Sequence, residues 1–283
     1  MSPVKLVYIE GNIGSGKSTL IRHLKHLAQK RNMIISRTPF ADKGGFIYQI
    51  KKALYSVYCL YIQNYSYSQY LYQDDGENSD DETDMVENKD CISIMGKKIV
   101  FLEEPLDEWN KIIHPGDRKN ILQKFYENQE KYAFTFQVMS LQTRAAQLRR
   151  AIDENPGAII VSERSIYTDR DIFAKMLYDD GKIDPLEMEV YNLVFNQTCQ
   201  ILDEITQKCV YLRSYPDNTF ARKCGRARPG EEGVSLEYLK KCHTYHQDKF
   251  SSTATDFIVD IDDFVVDTPK YSRLLRQLMM FID

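Results

Sequence analysis

The sequence predicts an α/β fold, a five-stranded parallel sheet flanked by helices. Three observations carry this. Apolar β-type runs recur at residues 5–10, 98–102, 158–162, 209–212 and 257–261. Stretches with helical spacing separate most of them, and such alternation builds a parallel sheet covered on both faces. Between the first run and the first helix stands Gly11-Asn-Ile-Gly-Ser-Gly-Lys-Ser18, a full match to G-x-x-x-x-G-K-[ST].

The elements follow in chain order. Lys5-Leu-Val-Tyr-Ile-Glu10 reads as a buried strand. Residues 18–31 carry Leu20, Ile21, Leu24, Leu27 and Ala28 at helical spacing. Strand, glycine turn and helix are the context that makes the motif a P-loop. Gly11, Asn12, Ile13, Gly14, Ser15, Gly16, Lys17, Ser18 and Thr19 then form a phosphate cradle of backbone N–H groups, favoured by the helix dipole. Lys17 adds a charge on the terminal phosphates, and the Ser18 hydroxyl is a Mg²⁺ ligand. A nucleoside triphosphate is the implied ligand. Residues 33–38 read as a further short strand. Residues 48–72 hold eight tyrosines and read as a helix packing on the domain, with an aromatic lid as the alternative. Residues 74–90 contain nine acidic residues and one lysine and are expected to be a disordered, solvated loop. Residues 118–151 form one long helical stretch or two. Residues 184–206 and 235–250 are helical by pattern, and Pro269 opens a last helix reaching Phe281.

Composition narrows the class. The 283 residues are 43% hydrophobic and 28% charged, as in soluble globular proteins. The net charge of −4 offers no field for a nucleic-acid backbone, although without 74–90 the remainder carries +4, which suits a polyphosphate. No apolar run is long enough to span a membrane. The first strand begins near Val4, leaving no room for a signal or transit peptide. Six cysteines without a C-x-x-C pair point to free thiols in a reducing cytoplasm. The pairs His23/His26 and His243/His246 lack a third ligand and are not read as metal sites.

Three further segments carry chemistry. Val100-Phe-Leu-Glu-Glu-Pro-Leu-Asp-Glu-Trp109 puts carboxylates at the C-terminal edge of a strand, where open parallel sheets bind ligands. A carboxylate there can accept the proton of a hydroxyl being phosphorylated. Ile159-Ile-Val-Ser-Glu-Arg164 runs a buried strand into Glu163, suited to Mg²⁺ or its waters, and Arg164, suited to a transferring phosphoryl group. Arg222 to Glu232 clusters arginines among Gly and Pro, a mobile lid over phosphates, since the guanidinium fork binds phosphate bidentately. Guanine-specific switch motifs are lacking: Asn88-Lys89-Asp90-Cys91 has Cys where Asp is required.

These motifs, with Phe134-Thr-Phe-Gln137, Thr168-Asp-Arg170 and Leu236-Glu-Tyr-Leu239 in order, resemble the cellular deoxynucleoside kinase family. The likeness covers most of 1–34 and 97–283 and is nearest the deoxycytidine/deoxyguanosine branch. It implies a P-loop kinase fold with an arginine lid, and transfer of the γ-phosphoryl of ATP·Mg²⁺ to the 5′-hydroxyl of a deoxynucleoside, a nucleotide-salvage step. In that resemblance Glu104 is the base, Arg164 holds the hydroxyl and the transferred group, and Glu163 assists Mg²⁺ beside Ser18. Gln137 bonds the nucleobase edge, and Trp109 and Phe173 line its pocket. Tyr126 and Glu231 grip the 3′-hydroxyl, while Arg222, Arg226 and Arg228 close on the triphosphate. An Arg144–Asp169 pair marks the branch that disfavours thymidine, and Ser140 beside the base leans towards purines.

The chain departs from the family at 35–97, where relatives run almost directly into the Glu-Pro strand; it is otherwise expected to be one domain. A cytoplasmic homodimer with a small-molecule deoxynucleoside as partner is expected, without nucleic acid or membrane. The rivals are a nucleoside monophosphate kinase, which needs another anion site for the acceptor phosphate, and a non-catalytic subunit retaining the fold. Lys17, Glu104 and Arg164 are all present, against the latter.

Overall fold

The computed structural model describes residues 3–37, 91–94, 97–252 and 255–283. In chain order the elements are β1 (Lys5–Gly11), α1 (Lys17–Arg37), β2 (Cys91–Ile94), β3 (Lys97–Leu102), α2 (Leu106–Lys111), α3 (Ile121–Glu127) and α4 (Gln129–Glu154). There follow β4 (Ile159–Glu163), α5 (Ile166–Thr168), a π-helical segment (Asp169–Ala174), α6 (Lys175–Asp179) and α7 (Pro185–Cys199). The chain closes with β5 (Thr206–Arg213), α8 (Pro216–Arg226), α9 (Leu236–Ser252), β6 (Phe257–Asp260) and α10 (Pro269–Ile282).

Among the described residues the sheet has six strands in the order β2-β3-β4-β1-β5-β6. The five expected strands are present and mutually parallel, with Ile9 of β1 opposite Glu163 of β4 and Val210 of β5. The expected sheet of five parallel strands is extended by a sixth strand, β2, which pairs antiparallel with β3, Cys91 opposite Val100. Four residues inside a segment set aside as an insertion give no period to read, yet Ile92 is buried on the sheet. The expected strand at 33–38 is corrected: α1 continues through Arg37. Ile34 and Ile35 favour strand locally, but an established helix overrides that weak preference. The tyrosine-rich stretch 48–72 and the acidic stretch 74–90 lie outside the described residues.

Strand alternation divides the core. Leu6, Val100, Leu102 and Ile160 face Leu141, Leu148 and Tyr191 of α4 and α7. Val7, Ile9, Phe101, Val161 and Leu212 face Leu20, Leu24, Leu275 and Leu278 of α1 and α10. With apolar residues on both faces, β4 is buried throughout, as the central strand of a parallel sheet must be. Residues 118–151 resolve into two helices joined by one residue. Asn128 ends α3, and its side chain accepts from Lys131 N–H to start α4. The α7 boundary is a capping box, Asp184 with Glu187, followed by Pro185 in the first turn.

Candidate active site

The C-terminal ends of β1, β3 and β4 meet at one cleft, lined by Lys17, Ser18, Glu104, Glu163, Arg164 and Arg226 among others. Its empty volume, taken out to the mouth, is about 930 Å³. Along β1 the chain turns through Gly11 to Gly16 into α1. Gly14 and Gly16 have φ of +78° and +93°, a region costly for other residues. A Cβ on Gly14 would lie 2.3 Å from the Thr219 carbonyl oxygen, so glycine is also what lets the loop pack on α8. Asn12 braces the loop, its Oδ1 accepting from Ile13 N–H at 2.8 Å and its Nδ2 donating to Leu239 at 2.9 Å. Lys17 Nζ donates to the Asn12 carbonyl at 2.9 Å and lies 3.8 Å from Glu163 Oε1. Burial and then Arg164 push the Lys17 ammonium down to about 7, against Glu163 and Glu104.

Ser18 Oγ donates to Glu163 Oε1 at 3.2 Å. A hydroxyl and a carboxylate at this spacing fit a Mg²⁺ ion, which takes few protein ligands and completes its shell with water and phosphate. Among the described residues no group of three His, Cys, Asp or Glu side chains forms a metal cluster.

Glu104, just past the end of β3, lies among cations. Arg164 Nε and Arg144 Nη2 are each 3.7 Å from Oε1, and Arg228 Nη1 is 3.5 Å from Oε2. Burial opposes its charge, but Arg164, Arg144, Lys17 and Arg228 outweigh it and hold the carboxyl below its usual range. Arg164 has φ +65°, stacks 4.9 Å from the Phe173 ring centroid and donates to the Gly11 carbonyl at 2.6 Å. A left-handed arginine is strained and persists only where its surroundings hold it. The π-helical segment beyond carries Asp169 and Phe173 to the cleft, the kind of irregular turn found at functional sites.

Buried Gln137, Ser140 and Arg144 line the cleft from α4. Arg144 Nε donates to Asp169 Oδ2 at 2.9 Å and Nη1 to the Glu163 carbonyl at 2.7 Å. Burial raises the Asp169 carboxyl while the guanidinium opposes the rise. Trp109 donates to Thr143 Oγ1 at 2.9 Å and meets Phe136 edge-on at 5.4 Å, and Phe136 stacks on Phe125 at 4.5 Å. Tyr126 keeps its phenolic proton because burial and Glu231 raise it well above its ordinary range.

The lid is only partly a loop. Arg222 and Arg226 belong to α8, which ends at Ala227 in a left-handed cap (φ +46°). Arg226 and Arg228 donate to the two Glu231 oxygens at 2.6 and 3.3 Å. Arg222 donates instead to Asp262 at 2.6 Å and Ser214 at 3.0 Å and does not line the cleft. The other residues singled out from sequence converge there or, for Gly11, Asn12 and Ser15, form the back of its P-loop. Sequence reading missed Glu10, Arg22, Phe125 and Phe136. Arg22 stands one helical turn beyond the glycine motif and could have been found by that place; Glu10 reads as an ordinary acid closing a strand, and nothing separates the two phenylalanines from ordinary core.

A P-loop, a carboxylate at the neighbouring strand end and arginines over both define a phosphotransferase site. The family described as deoxynucleoside kinase matches residues 89–283, and the chain belongs to this family. It is thus an enzyme, a P-loop kinase of deoxynucleosides. The P-loop at 11–18 lies outside the matched stretch and completes the site. A fowlpox virus (strain NVSL) protein named "Probable deoxycytidine kinase" is 31% identical over 188 residues, 64% of this chain and 77% of that protein. The Mus musculus deoxycytidine kinase is 29% identical over 183 residues, 58% and 68% of the two chains. The mitochondrial deoxyguanosine kinase of Xenopus laevis is 27% identical over 174 residues, 55% and 64%. No helix among the described residues is long and apolar enough to cross a membrane.

Proposed function

We propose that the chain transfers the γ-phosphoryl group of ATP to the 5′-hydroxyl of a deoxynucleoside, with deoxyguanosine, deoxyadenosine or deoxycytidine preferred over thymidine. The observation that carries this is Glu104, a charged carboxylate at the mouth of β3 with Arg164 and Arg228 on its two oxygens. It receives the hydroxyl proton, and its low pKa suits a loose transition state in which orienting the nucleophile matters more than strong basicity. Arg164 and Lys17 neutralise the transferring group, and the P-loop N–H groups hold the phosphates. Ser18 and Glu163 would hold Mg²⁺, which supplies charge neutralisation between the phosphates when bound. Gln137 reads the base edge, Trp109 and Phe173 flank it, and Tyr126 with Glu231 takes the 3′-hydroxyl. The Arg144–Asp169 pair favours bases presenting a matching donor and acceptor, and it takes the room that the 5-methyl group of thymidine would need.

Glu104→Gln keeps the shape and removes the base. It is expected to cut kcat about a hundredfold or more with little change in the KM for ATP. Near-wild-type turnover would remove Glu104 from the mechanism. We further propose a homodimer packed through α7, where Leu186, Val190 and Leu193 stand exposed at helical spacing. Leu193→Asp is expected to yield monomers in sedimentation, and an unchanged dimer would exclude this face. Free thiols at Cys91, Cys199, Cys209, Cys224 and Cys242 support a cytoplasmic location.

A further inference from the structure

The last three residues of β1 all hold the turn that carries Arg164. The Ile9 carbonyl accepts from Arg164 N–H at 3.1 Å. The Gly11 carbonyl accepts from the Arg164 guanidinium at 2.6 Å. Between them, Glu10 Oε1 accepts from Ser165 N–H at 2.8 Å. The first two contacts use backbone that any sequence supplies; the third depends on the side chain. Ser165 Oγ faces the other way, accepting from Thr168 N–H at 3.2 Å to start α5. Glu10 is therefore the side chain that pins the peptide following the strained Arg164.

Glu10 is 1% exposed, and its second oxygen has no hydrogen-bond partner. A buried carboxylate with one bare oxygen is costly, and an apolar isostere would avoid the cost. The cost is met beside Arg164, among the described residues the one non-glycine residue of the cleft with a positive φ. If Ser165 N–H were released, the turn could relax towards ordinary φ, and the guanidinium would swing away from Glu104.

We propose that Glu10 is a positioning residue for phosphoryl transfer, fixing the 164–165 peptide so that Arg164 faces Glu104 and the transferred group. This rests on the reading of Arg164 given above. The test compares wild type, Glu10→Met, Arg164→Ala and the double variant, with Glu10→Gln as rescue. Methionine fills the volume without an acceptor, whereas glutamine keeps one oxygen for Ser165.

Glu10→Met is expected to lower kcat by about thirtyfold, with the KM for ATP within about threefold of wild type. In the Arg164→Ala background the same change is expected to cost less than about twofold, because its route of action is already gone. Glu10→Gln is expected to restore kcat to within about threefold. An equal loss in both backgrounds, or a Glu10→Met enzyme within about twofold of wild type, overturns the inference while leaving Arg164 in place. Near-wild-type turnover of Arg164→Ala itself overturns the parent reading and this one together. Should Glu10→Met not fold, Glu10→Gln decides: a folded enzyme that has lost more than about tenfold in kcat contradicts the acceptor role, and one within about threefold supports it.

Discussion

The two sides of the cleft are built differently. On one side the P-loop and the β4 turn are held by buried backbone contacts: Lys17 on Asn12, Arg164 on Gly11 and Ile9, Ser165 on Glu10. On the other side the lid arginines rest on carboxylates, Arg226 and Arg228 on Glu231, Arg222 on Asp262. The first side is preorganised, so its charges act without rearrangement at the moment of reaction. On the proposed function the second exchanges partners, since an arginine on Glu231 cannot also grip a phosphate with the same fork. Preorganisation belongs with turnover and partner exchange with binding, which separates their effects on kcat and KM.

The largest effect that can break this comparison is on the fixed side. Arg164→Ala is expected to reduce kcat at least about a hundredfold in steady-state assays while the lid remains able to bind ATP. A change confined to the KM for ATP would place Arg164 with the lid.

The pH dependence is next. The folded-state pKa of Lys17 is depressed to about 7, mainly by burial, while an unfolded lysine keeps its proton to about 10.4. Between these values the unfolded chain binds more protons, so Lys17's contribution makes stability rise with pH across that window. A bound phosphate favours the charged form, so binding takes up a proton above pH 7. The affinity for ATP is expected to fall with a slope approaching about tenfold per pH unit from 7 to 9, and Lys17→Arg to flatten it. A flat calorimetric profile in wild type would show that Lys17 is already fully charged.

On the lid side, Arg226→Ala is expected to raise the KM for ATP by about fivefold and leave the KM for the nucleoside near wild type. Trp109, the only tryptophan in the chain and part of the cleft lining, is expected to report nucleoside binding by fluorescence. The smallest effect is at the helix cap between Arg226 and Arg228. Ala227 occupies a left-handed cap, and Ala227→Gly is expected to add up to about 1 kcal/mol of stability, read as a higher Tm. A lower Tm would mean that the cap is not strained.

The same division explains what was legible in the sequence. Glycine motif, strand and helix are contiguous, so local pattern alone assembles the cradle, and Glu104 and Glu163 sit at strand ends where ligands bind. That Arg222 rests on Asp262 could not be read locally, because this partner is 40 residues away and enters only through the β5–β6 pairing. Glu10 looked like any acid closing a strand until the β1–β4 register set it against Ser165. The edge strand Cys91–Ile94 was lost because four residues have no period, and 33–37 was misread because β-branched residues outweighed a helix already under way.

The central claim is the acceptor. Purified protein with ATP and Mg²⁺, given deoxyguanosine, deoxyadenosine, deoxycytidine, thymidine and their 5′-monophosphates in turn, can be followed by chromatography of the products. The account predicts one ADP and one 5′-monophosphate per turnover from the free deoxynucleosides, with thymidine the poorest of the four by kcat/KM. ATP consumption only in the presence of the monophosphates, or thymidine as the best acceptor, would contradict it.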